Sequence, residues 1–244
     1  MIILSIGMPR AGSGWYYNLT HDLIKVSGGQ DAREIRKKYG LRKILTEVNC
    51  NIGALSNWRL LLVLIPALLG NTFTIKTHAG PTRLTLLLIQ VGLICTTYIY
   101  RDPRDAMISA MDIGRKARAK GRHNAFSQLT DFGTSVEFML SYLKVWEAWI
   151  HSEATLHTRY ENLLDDYDAE VQRLIEFLHL PLKSQEVDAV LERYRPEKAR
   201  GGQKGIHYSK GRTGRYREKF NDEELSILNE NFGPYLEQMG YEKA

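Results

Sequence analysis

The pattern of apolar residues changes character close to the start of the chain. Segment 2–6 is almost entirely apolar and rich in β-branched side chains, which is typical of a buried strand. Trp15, Leu19 and Leu23 then recur at every fourth residue, as on one face of a helix. A glycine-rich segment, 7–14, separates the two patterns. We therefore predict a strand, a tight loop and a helix, in this order.

A similar alternation continues along the chain. Segments 72–75 and 93–100 have the composition of strands, and segment 84–89 between them has that of a helix. Strands that alternate with helices predict βαβ units and a parallel sheet. We expect an α/β fold with a central parallel sheet flanked by helices. We also expect a single domain over residues 1–244, because α/β folds of this length often form one unit.

Two further helix signals lie in the second half of the chain. Apolar residues recur with helical spacing over 135–150 and predict a core helix, one edge of which is a candidate wall for a ligand pocket. Asn221 with Glu224 forms a capping-box pattern that predicts the start of the last helix. The aspartates within 165–168 also indicate a helix start. They do not suggest a metal site, because no His or Cys lies near them in the sequence.

The glycine-rich loop has the features of an anion-binding cradle. Glycines let successive backbone N–H groups converge on a phosphate, and the N-terminus of the following helix adds partial positive charge. Arg10 and Ser13 can add a cation and a hydroxyl donor. The spacing of Gly7 and Gly12 is that of a P-loop, but the Lys and the hydroxyl residue that follow the second glycine in P-loop NTPases are missing. This departure favours an adenylate-type anion with a short phosphate arm and no obligatory metal.

Polar residues follow each of the predicted strands, in clusters 9–15, 76–78 and 101–109. The carboxyl ends of parallel strands meet at one edge of a sheet, so we expect the clusters to form one site. Arg101 and Ser109 could grip one phosphate from two sides. A helix-capping ion pair with a surface serine is the alternative, since Pro103 and Asp105 are suited to the start of a helix.

Composition narrows the class of ligand and the location. The net charge of +5 and the pI near 9.1 favour anionic ligands. Two distant cysteines, Cys50 and Cys95, argue against a disulfide framework and favour a reducing compartment. The most apolar stretches, 60–69 and 84–95, are interrupted and too short for a membrane span, and no secretory signal leads the chain. We expect a cytoplasmic protein.

Five short segments, in order along the chain, resemble the motifs of one enzyme family. These segments are Pro9-Arg10-Ala11-Gly12-Ser13-Gly14-Trp15, Lys76-Thr77-His78, 98–105 with Ser109, Arg159-Tyr160-Glu161-Asn162-Leu163, and Ser209-Lys210-Gly211-Arg212-Thr213-Gly214. They are similar to the 5′-phosphosulfate loop, the catalytic Lys-Thr-His, the 3′-phosphate site, an adenine-bordering Tyr element and a late 3′-phosphate loop. The chain thus resembles the sulfotransferases that use 3′-phosphoadenosine 5′-phosphosulfate (PAPS).

The resemblance implies a P-loop NTPase-like fold with a phosphosulfate-binding loop. It implies PAPS as co-substrate, 3′-phosphoadenosine 5′-phosphate (PAP) as product, no metal, and in-line transfer of the sulfuryl group to a hydroxyl or amine of an acceptor. The implied donor-binding residues are Arg10, Ala11, Gly12, Ser13, Gly14, Trp15, Arg101, Ser109, Tyr160, Lys210, Gly211 and Arg212. The implied catalytic residues are His78, Lys76 and Arg10.

The assignment of roles leaves one choice open. Arg10 or Lys76 can stabilise the leaving oxygen, and arginine does so without giving up its proton. His78 has the pKa range of a general base. Glu47 is the rival base, because sulfotransferases that act on sulfated glycans often use a glutamate upstream of this point. Two residues depart from the family pattern, since Gly14 replaces a hydroxyl residue and Ser209 replaces an arginine. The segment after His78 is also one residue longer than is usual in the family.

Two other functions remain open, namely a P-loop kinase of a small molecule and a non-catalytic module that binds nucleotides or polyanions. The acceptor is a small molecule or a glycan, and we expect segments 30–58, 79–83 and 112–130 to build its pocket. The basic run 115–123 is interpreted as a mobile, solvated loop, with steering of an acidic acceptor as the alternative. No nucleic-acid module accompanies it, so no nucleic-acid partner is expected. The sequence leaves the oligomeric state open.

Overall fold

The computed structural model describes residues 1–152, 154–181, 184–199 and 212–243. Four parallel strands form the central sheet in the order β2-β1-β3-β4. The strands are β1 (Ile2–Gly7), β2 (Phe73–Thr77), β3 (Ile94–Tyr100) and β4 (Thr155–Arg159). Ile6 of β1 lies beside Thr77 of β2 and Tyr98 of β3, so these strands end at nearly the same level. The predicted α/β class with a parallel sheet is confirmed.

Helices form most of the remaining described chain. They are α1 (Ser13–Val26), α2 (Ala32–Lys38), a short 3₁₀ helix (Leu41–Lys43), α3 (Asn57–Leu68), α4 (Arg83–Gln90), α5 (Pro103–Ala119), α6 (Phe132–Ile150), α7 (Tyr160–Asp165), α8 (Tyr167–Phe177), α9 (Gln185–Arg193), α10 (Pro196–Ala199), α11 (Tyr216–Lys219) and α12 (Asp222–Met239). None of the helices in the described ranges is both long and apolar enough to span a membrane.

Helices cover both faces of the sheet, because β1 contributes side chains to two separate cores. Ile2, Leu4 and Ile6 pack in a core with residues of α3, α5, α6 and α12, whereas Ile3 packs in a second core with residues of α1, α8 and α9. All of β1 is buried, which explains why its sequence is a continuous apolar run rather than an alternating one. Trp146 of α6 is fully buried, as the predicted core helix requires.

The predicted helices and strands correspond to observed ones, but several observed elements were not predicted, among them α2, α3, α9 and β4. Strand β4 has no counterpart among the predictions, since its burial pattern is mixed and its sequence contains no apolar run. The interpretation of 115–123 as a mobile loop is wrong for its first half. Helix α5 continues to Ala119, and the Arg118 guanidinium donates hydrogen bonds to the carbonyl oxygens of Ser127 and Leu129 (2.9 and 3.0 Å). This arginine therefore ties the following loop to the helix.

Candidate functional site

The loop between β1 and α1 brings the chain close to Tyr160. Gly12 has φ +76° and is the N-cap residue of α1, with no side-chain cap. A Cβ atom at this position would lie 2.7 Å from the Tyr160 ring, so both the backbone angle and the available space require glycine. The first N–H groups of a helix have no partner within it, and the N-cap residue of α1 supplies no side-chain acceptor for them.

The loop opens onto a cavity of about 430 Å³ at the carboxyl ends of the strands. All three predicted polar clusters contribute to its wall, which is the arrangement expected from the parallel sheet. The predicted site residues among its lining residues are Arg10, Gly12, Ser13, Gly14, Trp15, Lys76, His78, Arg101, Ser109, Tyr160 and Arg212. Ala11 is buried and is absent from this wall. Lys210 and Gly211 lie outside the described residues. Glu47 is exposed and does not line the cavity.

Arg10 reaches across the cavity to α5. Its Nε donates a hydrogen bond to Ser109 Oγ at 3.1 Å, and its guanidinium carbon lies 5.9 Å from the centre of the Phe126 ring. Like Gly12, Arg10 has a left-handed backbone angle, φ +69°. A non-glycine residue in this conformation carries a strain that the surrounding structure must offset. The arginine is thus held over the cavity by the loop itself.

Arg101 lies at the end of β3 and has partners on three sides. Its Nη2 donates to Asp105 Oδ2 at 3.0 Å and also to the carbonyl oxygen of Arg212. Its guanidinium carbon lies 4.7 Å from the centre of the Tyr160 ring. Arg101 therefore belongs to a buried ion pair at the start of α5 and also lines the cavity. The ion pair of the second alternative is present, but its surface serine is not, because Ser109 is buried and lines the cavity.

Asp105 holds residues 212–216, which we call the late segment, against α5. This fully buried carboxylate accepts hydrogen bonds from the backbone N–H of Gly214 (2.8 Å) and Tyr216 (3.1 Å), besides the Arg101 guanidinium. Arg212 and Arg215 of the same segment line the cavity. A single carboxylate thus positions both an arginine at the end of a strand and a segment more than a hundred residues away.

Lys76 is a buried cation at the end of β2, with only 6% of its surface exposed. Burial, followed by the repulsion of Arg10, lowers the pKa of this lysine to about 8. Within the described part of the chain, no carboxylate forms an ion pair with Lys76, in contrast to Arg101 and Arg215. An anionic ligand in the cavity would supply the missing counter-charge.

His78 presents one ring nitrogen to the protein backbone. Its Nδ1 forms a hydrogen bond with the carbonyl oxygen of Gly7. Because a carbonyl oxygen only accepts, Nδ1 carries the proton, and Nε2 of the neutral ring is left as an acceptor. Burial and the positive charge of Lys76, with a smaller contribution from Arg10, lower the His78 pKa to about 3. The ring is therefore neutral at neutral pH, with the lone pair of Nε2 unprotonated.

Apolar side chains form the part of the cavity wall that carries no cationic residue. The Phe126 and Phe138 rings are 5.8 Å apart, and Phe138 and Tyr142 are 5.0 Å apart. Ile113 and Ala125 complete this wall, which we call the aromatic wall. Of the three segments expected to build an acceptor pocket, 112–130 contributes, whereas no residue of 30–58 or 79–83 is found among the lining residues.

One cationic residue of the cavity was missed by the sequence analysis. Arg215 lines the cavity and donates to Asp112 Oδ2 at 2.8 Å. The signal available for it was its position three residues after Arg212, in a basic segment that follows a glycine. Its partner lies 103 residues earlier, so neither the ion pair nor the direction of the side chain could be inferred from local sequence.

Comparisons with known proteins agree with this arrangement. A family model described as the sulfotransferase domain matches residues 70–240. Retinol dehydratase in a complex with retinol and PAP is similar in structure, with 17% identity, a TM-score of 0.61, and coverage of 96% of this chain and 81% of that one. Mouse sulfotransferase SULT7A1 complexed with PAP has 12% identity, a TM-score of 0.60, and coverage of 97% and 84%. No curated protein sequence matches the chain.

These structural neighbours share too little sequence to show more than a common fold. The family model is more informative, because it matches well over half of the chain and includes Lys76, His78, Arg101 and Ser109. It starts after the glycine loop. The resemblance drawn from five short motifs is thereby confirmed, and this chain belongs to the sulfotransferase domain family.

Proposed function

We propose that this protein transfers the sulfuryl group of PAPS to a hydroxyl or amine of an acceptor and releases PAP. The observation that carries the proposal is the meeting of three features around one cavity. They are a glycine loop, a buried lysine that pairs with no carboxylate of the described residues, and a neutral histidine. The anion cradle alone would serve a binding module. Lys76 and His78, side by side at the end of β2, add the cation and the base that a transfer reaction needs.

The cations of the cavity define where the donor's anionic groups bind. We assign the 5′-phosphosulfate to the loop residues Arg10–Trp15 and the N-terminus of α1, close to Lys76. We assign the 3′-phosphate to Arg101 and Ser109, with Tyr160 beside the adenine. Arg212 lies at the same wall, and Lys210 and Gly211, outside the described residues, are proposed to complete the late loop. Arg10 and Lys76 provide the positive charge that a phosphate-bound metal provides in kinases.

The transfer step is a displacement at sulfur. The acceptor oxygen or nitrogen forms a bond to the sulfur atom while the bond between sulfur and the bridging oxygen of the donor breaks. The bridging oxygen leaves as part of PAP with the electron pair of that bond, and Lys76 and Arg10 stabilise its growing negative charge. The proton of the acceptor passes to Nε2 of His78, which the Gly7 carbonyl holds in the required tautomer.

Binding of the donor is expected to strengthen His78 as a base. In the free protein Lys76 and Arg10 both lower the pKa of this imidazole. The anionic phosphosulfate offsets these charges, so the pKa of His78 rises once the donor is bound. The protein thereby keeps His78 neutral beforehand and makes proton transfer more favourable when both substrates are present. His78 is preferred to Glu47 as the base because Glu47 is exposed and away from the cavity.

The aromatic wall favours an apolar acceptor. Phe126, Phe138 and Tyr142 offer ring faces and edges, which suit a phenol or an apolar alcohol better than a hydrated glycan. Two of the structural neighbours fit this class, since they are complexes of retinol dehydratase with androsterone and with retinol. Those ligands belong to that protein, and the argument for this chain rests on its own aromatic side chains.

An acceptor panel tests the function as a whole. The protein is incubated with PAPS carrying a radiolabelled sulfuryl group and, in separate reactions, with phenols, apolar alcohols, amines and a glycan. We expect label on the phenols and apolar alcohols and little on the glycan. Label on the glycan alone would contradict the assignment of the aromatic wall. Transfer of the terminal phosphate of labelled ATP, with none from PAPS, would instead identify a kinase, and tight PAP binding without any transfer would identify a binding module.

A further inference from the structure

Helix α3 is apolar on both of its faces. The inward face packs in the core through Leu60, Val63, Leu64 and Ala67. On the outward face, an apolar stripe consists of Trp58, Leu61, Leu62, Ile65 and Leu68, with Leu69 at the C-cap. These six side chains are between 39% and 66% exposed. A helix that is hydrophobic all round is normally buried all round, so the stripe indicates a surface that a partner covers.

The spacing of the stripe is that of a helix-packing surface. Its members recur at intervals of three and four residues along α3, which places them in one line along the helix. The one charged residue of α3 is Arg59, which is next to Trp58 in sequence. Its Nη1 donates a hydrogen bond to the carbonyl oxygen of Ile52 at 2.8 Å. Its guanidinium also lies 5.2 Å from the Trp58 ring centre. The stripe is therefore long, continuous and free of charge.

The exposed area of the stripe is close to what one partner contributes to a stable dimer. Six large side chains, each exposed by about half, present roughly 700 Å² of mostly apolar surface, against roughly 800 Å² per partner in a standard protein–protein interface. A single patch of this size exceeds the apolar patches usual on monomers. None of the residues that line the cavity comes from α3, so covering the stripe leaves the cavity open.

We propose that the stripe on α3 is the interface of a homodimer, in which α3 of one copy packs against α3 of a second copy. In a two-fold arrangement the same patch serves both partners, and an antiparallel pair of helices sets Trp58 of one copy near the C-terminal leucines of the other. A membrane surface is the less favoured occupant. Helices that bind membranes carry Lys or Arg for the lipid headgroups, whereas Arg59 is held by the backbone and the Trp58 ring.

Sedimentation equilibrium of the wild-type chain and of two matched variants tests this interface. Ile65→Glu places a carboxylate in the stripe, and Ile227→Glu places one at a similarly exposed isoleucine of α12. We expect a wild-type dimer at micromolar concentration, a dimer Kd raised about 100-fold or more by Ile65→Glu, and an unchanged Kd for Ile227→Glu. Far-UV circular dichroism confirms that each variant is folded, and Leu61→Lys replaces Ile65→Glu if that variant is not.

Three results would overturn the proposal. The first is a wild-type chain that stays monomeric at concentrations up to about 100-fold above micromolar, which would mean a dimer Kd too weak for a stable complex. The second is a dimer that both stripe variants leave intact, which would place the interface elsewhere. The third is a monomer that binds vesicles of anionic phospholipid and loses this binding with Ile65→Glu, which would make the stripe a membrane contact. Activity of the variants is not needed to interpret any of them.

Discussion

The electrostatic environment of Lys76 gives the cavity its sensitivity to pH. This lysine is buried, no carboxylate in the described ranges pairs with it, and its pKa is lowered to about 8 by burial and by Arg10. It is charged below that pH and loses its charge above it. Because the donor is anionic, binding restores the charged form and raises the pKa again. The affinity for the donor must therefore depend on pH in the range just above neutrality.

We expect the affinity for PAP to fall as the pH rises above about 8, the pKa of Lys76 in the free protein. The fall should end at the higher pKa that Lys76 has in the complex, because above it the lysine is neutral in both states. The phosphates of PAP are already fully ionised in that range, since the second pKa of a phosphate monoester is about 6. Calorimetric titration of PAP between about pH 7 and pH 9.5 measures the effect. Lys76→Ala should bind PAP more weakly at neutral pH and lose this pH dependence. The same slope in the variant would assign the effect to another group.

Single residues also mark where sequence-based prediction succeeds and where it stops. The position of Lys76 and His78 at the sheet edge could be predicted, because both lie in one short motif at the end of a strand. The hydrogen bond from Arg10 to Ser109 joins residues 99 positions apart. No local pattern specifies such a pairing, because it depends on how two loops meet in the folded chain.

At the level of elements, the turn from β1 into α1 depends on the absence of a side chain at Gly12. Gly40 offers a matched control, since its φ of +68° is close to that of Gly12 and a Cβ atom there would meet nothing within 4 Å. We expect Gly40→Ala to lower the free energy of unfolding by about 1 kcal/mol through backbone strain alone. Gly12→Ala should cost about 1–3 kcal/mol more, because of overlap with the Tyr160 ring. Urea unfolding of both variants measures the difference, and equal losses would show that the contact with Tyr160 is not restrictive.

The start of α5 is joined to the late segment by a buried carboxylate. Asp105→Asn removes the charge that pairs with Arg101 and gives the Gly214 and Tyr216 N–H groups a poorer acceptor. We expect a loss of about 3 kcal/mol in the free energy of unfolding, as for other broken buried pairs. PAP affinity should fall about tenfold or more, because the late segment is no longer held at the cavity.

Asp112→Asn is the control for this comparison. Asp112 also accepts from an arginine, Arg215, but its side chain is 28% exposed. Its loss should therefore cost about 1 kcal/mol or less. Urea denaturation compares the stabilities of the two variants, and calorimetry measures PAP binding. Similar losses for Asp105→Asn and Asp112→Asn would mean that Asp105 has no special part in holding the late segment.

Helices and strands with strong periodicity could be predicted from the sequence, whereas weakly patterned ones could not. Helix α12 begins at a capping box that Asn221 and Glu224 form as expected. Strand β4 lies at the edge of the sheet and is half-buried, so its residues carry no clear alternation. The start of α5 at Pro103 was also correctly predicted, with Asp105 in its first turn, whereas its N-cap, Asp102, was not named. Capping signals at helix ends lie within a few residues of sequence and can be recognised there. A half-buried strand such as β4 is defined mainly by its pairing with β3, which the sequence does not show.

For the whole molecule, the alternation of elements indicated a parallel sheet but not the order of its strands. The order β2-β1-β3-β4 places the glycine loop between Lys76 at the end of β2 and Arg101 after β3. That central position of β1 is what lets one loop contact both clusters. The aromatic wall is contributed by α5, α6 and the segment between them, which are far from the glycine loop in sequence. The sequence indicated both regions, 112–130 for the acceptor pocket and one edge of the 135–150 helix for a pocket wall, but not which of their side chains line the cavity.

The central claim is that this cavity carries out sulfuryl transfer with His78 as the base. The most direct measurement is the turnover of label from PAPS to an apolar alcohol by the wild type, His78→Ala and Glu47→Ala, together with the PAP affinity of each. We predict turnover by the wild type and by Glu47→Ala, a fall of roughly 100- to 10,000-fold for His78→Ala, and PAP affinities that stay nearly equal. Full turnover in His78→Ala, with loss of turnover in Glu47→Ala, would contradict the account.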